Sequence, residues 1–182
     1  MNKKALIILA NGFEETEAVT SIDMLRRCGV EVIIAGVGKN LIKGSHGIDI
    51  KADILIDDYS EVPDAVILPG GMPGAENLAS SPKVKDLILK MNEKKKIVAA
   101  ICASPAIVFA PLGILKGKSA TCYPGMEENF SSDVKFSENK VVQDENIITS
   151  RGPATSLEFA ILIAKNLVGG TKADMIAGHM LY

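Results

Sequence analysis

The chain has 182 residues, 20 of them basic and 22 acidic, for a formal net charge of −2. At roughly 100–200 residues per domain, this length predicts a single domain over residues 1–182 that buries about 70% of its unfolded surface. Near-neutral charge, with five Phe, three Tyr and no Trp, supplies neither a cationic surface for a phosphate backbone nor a platform for stacked bases, which excludes general nucleic-acid binding.

Three cysteines and two histidines, with no CxxC spacing, argue against a disulfide scaffold and against a Cys/His zinc site. No metal or cofactor is expected, and the expected compartment is the reducing cytoplasm.

Lys3 and Lys4 precede a short apolar run, Ala5–Ala10. The nearby Glu14, Glu15 and Glu17 and the lack of a cleavage site make this a buried strand rather than a signal peptide. A helix is expected from about Glu15, with Ala18, Ile22 and Leu25 on one face, closing at Gly29. Val30–Val37 reads as the next strand, Lys39–Lys51 as a small hairpin, and Ala65–Leu68 as a short apolar strand running into Pro69-Gly70-Gly71. Ser81-Pro82 starts a helix whose Val84, Leu87, Ile88 and Met91 repeat at helical spacing. Ile97–Leu115 carries no charge and approaches membrane-spanning length. Pro105, Pro111 and Gly113 interrupt it, so it divides into a strand, Ile97–Ile101, and a helix from Ser104 onward, with no membrane span expected. Lys135–Ser150 alternates and holds turn signals, as antiparallel edge strands do. Thr155 and Glu158 have capping-box spacing before an apolar helix, and a last short helix is expected from Lys172.

Near-continuous apolar strands, each followed by an amphipathic helix, predict a mostly parallel sheet covered on both faces. The expected fold is a three-layer, flavodoxin-like α/β sandwich, whose ligands bind beyond the carboxyl ends of the strands. Three loops there carry chemistry. Cys102 sits between a strand and a helix start, with small residues, Ala100 and Ser104, two positions to either side. That is the pattern of a nucleophile elbow, and a helix N-terminus beneath the sulfur would depress a thiol into the range ~3.5–7.5. The alternative is a buried cysteine acting as a small hydrophobe. Gly70 and Gly71 offer N–H groups to an oxyanion or form an ordinary tight turn. Glu14, Glu15 and Glu17 suit a first helical turn, and one of them can also face the thiol as an acid/base. His46 and His179 are each an exposed histidine or a partner for Cys102, and spacing does not choose. Cys28, before Gly29, reads as structural.

Four ordered segments, GFEETEA (Gly12–Ala18), LPGG (Leu68–Gly71), AAICASPA (Ala99–Ala106) and TSRGPATSLEFA (Thr149–Ala160), resemble the ThiJ/PfpI superfamily over essentially the whole chain, in the branch of the parkinsonism-associated protein deglycase. The resemblance implies the related class I glutamine-amidotransferase-like sandwich and a homodimer. It also implies that Cys102 is an oxidation-sensitive nucleophile and Glu17 a protonated acid on its sulfur. The N–H groups of Gly71 and Ala103, with Gly70, would form an anion pocket, and Glu14, Arg151 and Pro153 would line the crevice or dimer edge. Tyr123 stands where the animal branch has a histidine, so a Cys–His–acid triad is not implied. His46 stands where that branch has an arginine. Ala103 replaces the histidine that follows the cysteine in the proteolytic branch, which argues against a peptidase.

Two functions follow from these residues. In one, the Cys102 thiolate adds to a small aldehyde such as methylglyoxal, or to a glycated amine or thiol, while Glu17 moves protons without glutathione or metal. In the other, Cys102 is a non-catalytic oxidative-stress sensor, or part of a chaperone, that oxidises to a sulfinic acid.

Overall fold

The computed structural model describes residues 3–182. Among them, β1 (Lys4–Leu9), β2 (Glu31–Gly36), β5 (Ile54–Leu55), β6 (Ala65–Leu68), β7 (Ile97–Ile101), β10 (Val141–Asp144) and β11 (Ile147–Ser150) form one seven-stranded sheet. Its order is β10-β11-β7-β6-β1-β2-β5. Every neighbouring pair is parallel except β10–β11, the antiparallel edge. β3 (Leu41–Lys43) and β4 (Asp49–Lys51) form the expected hairpin outside this sheet.

Strand periodicity divides the core in two. Ala5, Ile7 and Leu9 of β1 point to one face, with Ile67 and Ala99 of the neighbouring strands. That face is covered by α1 (Glu15–Arg27), α4 (Ser156–Val168) and α5 (Gly170–His179). Leu6 and Ile8 point to the other face with Val66, Leu68, Val98 and Ala100. There α3 (Pro82–Glu93) buries Val84, Leu87, Ile88 and Met91, and α2 (Gly74–Ser80) precedes it. Fully burying each such aliphatic side chain contributes about 1.5–3 kcal/mol. Ser81 Oγ accepts from the Val84 N–H at 3.4 Å, the cap that the Ser-Pro start predicts.

Four local expectations are corrected. No regular helix follows β7: Pro105–Phe109 is a single π-turn, closed by Ala110 N–H to the Pro105 carbonyl at 3.0 Å. Pro105 cannot donate and Pro111 cannot continue the hydrogen-bond ladder. Thr155 and Glu158 form no capping box. Thr155 Oγ1 instead accepts from Gly152 N–H at 3.1 Å and meets Ser150 Oγ at 2.6 Å, while Glu158 pairs with Lys140 at 2.8 Å. Lys135–Phe136 (β9) leaves the edge region to pair in parallel with Ser119–Ala120 (β8). The last helix starts at Gly170, ahead of Lys172. No helix among the described residues is long and apolar enough to cross a membrane, including Ile97–Leu115.

Candidate active site

β6 lies between β1 and β7 in the sheet, so the loops leaving their carboxyl ends are side by side. Cys102 ends β7 with φ at 65° and is 8% exposed. This left-handed backbone is costly for a side-chain-bearing residue and persists only where surroundings hold it. They do so through Cys102 N–H to Ser150 O at 2.9 Å and Tyr123 N–H to Cys102 O at 2.8 Å. The N–H groups of Gly71 and Ala103 face the sulfur.

Glu17 comes from the first turn of α1 and is fully buried. Its Oε2 accepts from Gly70 N–H at 2.6 Å. Its Oε1 is buried with no hydrogen-bond partner among the described residues, and its carboxyl lies against Cys102. Gly70 thus serves the acid, whereas Gly71 serves the sulfur, which corrects the expectation of both glycines in one anion pocket. Neither position tolerates a side chain. A Cβ at Gly70 would lie 2.6 Å from Cys102 Cβ, and one at Gly71, where φ is 85°, would collide with the Gly12 carbonyl oxygen.

Burial pushes the Glu17 carboxyl up to about 7, against the pull of the Gly70 N–H. Burial, then the Glu17 carboxylate, push the Cys102 thiol up to about 12, against the Gly71 and Ala103 N–H groups. Burial and the adjacent acid therefore oppose the lowering expected of a thiol above a helix N-terminus, and only a short π-turn follows the sulfur. The two groups titrate as a pair that loses one proton near 7 and keeps the other far into the alkaline range.

The neighbouring glutamates have other duties. Glu14 caps α1, accepting from Glu17 N–H at 2.7 Å. Glu15 clamps the β3–β4 hairpin, accepting from His46 N–H at 2.6 Å, Ile48 N–H at 3.3 Å and Ser45 Oγ at 3.2 Å. Burial opposes its charge, but the hydrogen bonds from His46 and Ile48 hold it down at about 2. His46 Nδ1 lies 3.0 Å from Glu15 Oε2, and its side chain is 72% exposed. It belongs to the clamp. Glu14, Glu15 and His46 bring ligand-type atoms within 4.8 Å of one another, but the Glu15 oxygens are already occupied by the hairpin.

Tyr123 is half exposed and touches the elbow through its backbone, with its ring over Gly152. Arg151 acts on Cys122, whose thiol is pushed up to about 12 by burial and then by the Glu127 carboxylate. Pro153 is exposed. Cys28 is buried at the α1 C-cap, and His179 ends α5. One contact escaped the sequence reading: fully buried Ser104 donates Oγ–H to the Pro69 carbonyl at 2.6 Å. A hydroxyl two residues after the nucleophile, inside an uncharged stretch, was its only signal.

Comparison with known proteins bears on the family and the fold. The DJ-1/PfpI family profile matches residues 3–166. The Parkinson disease protein 7 homolog of Danio rerio is 40% identical, covering 98% of this chain and 97% of its own. DJ-1 homolog B of Arabidopsis thaliana is 44% identical over 92% of this chain, but the match spans only 38% of that longer protein. The glutathione-independent glyoxalase DJR-1.2 of Caenorhabditis elegans is 32% identical, covering 96% of this chain and 94% of its own. Oxidised DJ-1 of Toxoplasma gondii superposes with a TM-score of 0.96 at 38% identity, covering 99% of this chain and 98% of that one.

Proposed function

Because this chain belongs to the DJ-1/PfpI family, we propose that Cys102 and Glu17 act together as a glutathione-independent glyoxalase on small reactive carbonyls. The observation that carries this reading is a buried carboxyl, held up to about 7, lying against a sulfur that two backbone N–H groups face. A group that titrates near neutral pH both gives and takes a proton during turnover. A relative that bears the glyoxalase name adds support.

The Cys102 thiolate adds to the aldehyde carbon of methylglyoxal, and the Glu17 carboxyl protonates the resulting alkoxide. As a carboxylate, Glu17 then removes the proton from that carbon, and a proton returns to the adjacent one. The product is a lactoyl thioester on Cys102. Water attacks its carbonyl, releases lactate and restores the thiol. Hydrolysis of a glycated amine or thiol uses the same residues with a different leaving group.

Purified protein is expected to convert methylglyoxal to lactate, and Cys102→Ser and Glu17→Gln to lose that turnover. Wild-type turnover no higher than that of Cys102→Ser would remove the enzymatic reading. The second reading, a redox sensor, draws on the same two N–H groups, which suit a sulfinate on Cys102. A homodimer belongs to either reading. Val19 of α1 and Leu41 and Ile48 of the hairpin leave exposed apolar side chains on elements that Glu15 ties together, and sedimentation tests it.

A further inference from the structure

Two successive peptide groups between Pro69 and Gly71 are held in the same way. The Gly70–Gly71 peptide accepts at its carbonyl from Glu14 N–H at 2.9 Å and presents the Gly71 N–H to the Cys102 sulfur. The Pro69–Gly70 peptide accepts at its carbonyl from Ser104 Oγ at 2.6 Å and presents the Gly70 N–H to Glu17 Oε2 at 2.6 Å. Each catalytic group is therefore met by an amide whose opposite end is fixed. For the thiol, the fixing group is the backbone of α1's cap. For the acid, it is a side-chain hydroxyl two residues beyond the nucleophile itself.

We propose that Ser104 is a positioning residue that sets the tilt and donor strength of the Pro69–Gly70 peptide and so couples the nucleophile elbow to the Glu17 carboxyl. The inference rests on the proposed acid/base role of Glu17, which it deepens. A hydrogen bond into a carbonyl polarises its peptide and strengthens the N–H at the other end, the more so where water is excluded. Ser104 and Glu17 are both fully buried, so no solvent molecule replaces the hydroxyl when it is removed. Without it, the carbonyl loses its partner and the peptide can rotate. The Gly70 N–H then drifts from Glu17, while the Glu14 N–H still holds the Gly70–Gly71 peptide. The loss at Glu17 makes the pair release its first proton less readily.

The test separates this proposal from the glyoxalase reading by using two readouts. The first is the pH profile of Cys102 alkylation by iodoacetamide, followed by peptide mass spectrometry, which needs no turnover. Ser104→Ala is expected to move its midpoint upward by roughly half to one pH unit. Ser104→Thr, which restores the hydroxyl, is expected to return it to the wild-type position. The second readout is lactate formation, where Ser104→Ala is expected to lower kcat about 3–10-fold with KM for methylglyoxal unchanged. A wild-type protein with no lactate formation removes the enzymatic reading and leaves the alkylation test intact. An alkylation profile in Ser104→Ala that superposes on wild type overturns the proposal, whatever the turnover. Should Ser104→Ala fail to fold, Ser104→Cys, which puts a weak donor in place of the hydroxyl, carries the test: a profile displaced upward upholds the proposal, and one that superposes on wild type overturns it.

Discussion

Gly70 donates its N–H to Glu17 Oε2 at 2.6 Å, while the space for a side chain at Gly70 is already filled by Cys102 Cβ, 2.6 Å from where a Cβ would stand. Gly70→Ala must therefore displace the acid or the nucleophile. A shift of about 1 Å at reacting groups can lower turnover 10²-fold, and the overpacking destabilises by about 1–3 kcal/mol. Urea unfolding and lactate formation measure the two losses. Gly178→Ala, with nothing within 4 Å of its added methyl group, is expected to change neither.

Glu17 also predicts a pH dependence of stability. Its folded value, about 7, stands above its ordinary 4.5, so the folded state holds the proton more tightly than the unfolded state does. The stability this contributes is fully present below 4.5 and is lost as pH rises through about 7. Glu17→Gln cannot ionise. The stability difference between wild type and Glu17→Gln is therefore expected to change by up to about 3 kcal/mol between pH 4.5 and 7, with wild type losing ground at the alkaline end. Chemical denaturation across that range checks the sign, and an unchanging difference would show that Glu17 stays ionised throughout.

Glu15 predicts the opposite slope. Its carboxyl is held at about 2, below its ordinary 4.5, so its contribution is present above 4.5 and is lost as pH falls through about 2. Glu15→Gln removes charge-assisted hydrogen bonds from His46 and Ile48. Because the clamp lies near the surface and solvent screens it, the expected cost at neutral pH is about 1–2 kcal/mol, shrinking on acidification. Hydrogen exchange at Ser45–Ile48 is expected to accelerate first.

Cysteine oxidation should be selective. Cys102 keeps 8% of its surface exposed and faces two N–H donors, while Cys28 and Cys122 are fully buried. Mild peroxide is expected to add two oxygens to Cys102 before either of the others. Equal labelling of all three cysteines in native protein would remove the basis for a redox role.

What repeats with a local period was legible in the chain alone. The apolar strands Ala5–Ala10, Ala65–Leu68 and Ile97–Ile101, the Ser81 cap, the helical spacing of Val84 to Met91 and the left-handed Gly29 all follow from hydrophobic pattern and backbone sterics over a few residues. The elbow at Cys102 was legible because small neighbours and a strand end are local signals. Choosing Glu17 among three glutamates needed the family resemblance, since spacing alone leaves all three near the crevice.

How those glutamates divide their work depends on contacts made by folding. Glu14 caps its own helix through the Glu17 N–H three residues on, whereas Glu15 meets the hairpin and Glu17 the loop after β6, segments 31 and 53 residues away in the chain. The same reason separates Thr155 from Glu158, which the local pattern pairs but which Ser150 and Lys140 draw apart. It also hid Ser104, whose hydroxyl gains a role only when β6 and β7 place Pro69 within its reach. The charge state of the site has the same origin: burial and the adjacent carboxyl, both products of packing, put the thiol and the acid in one proton-sharing pair.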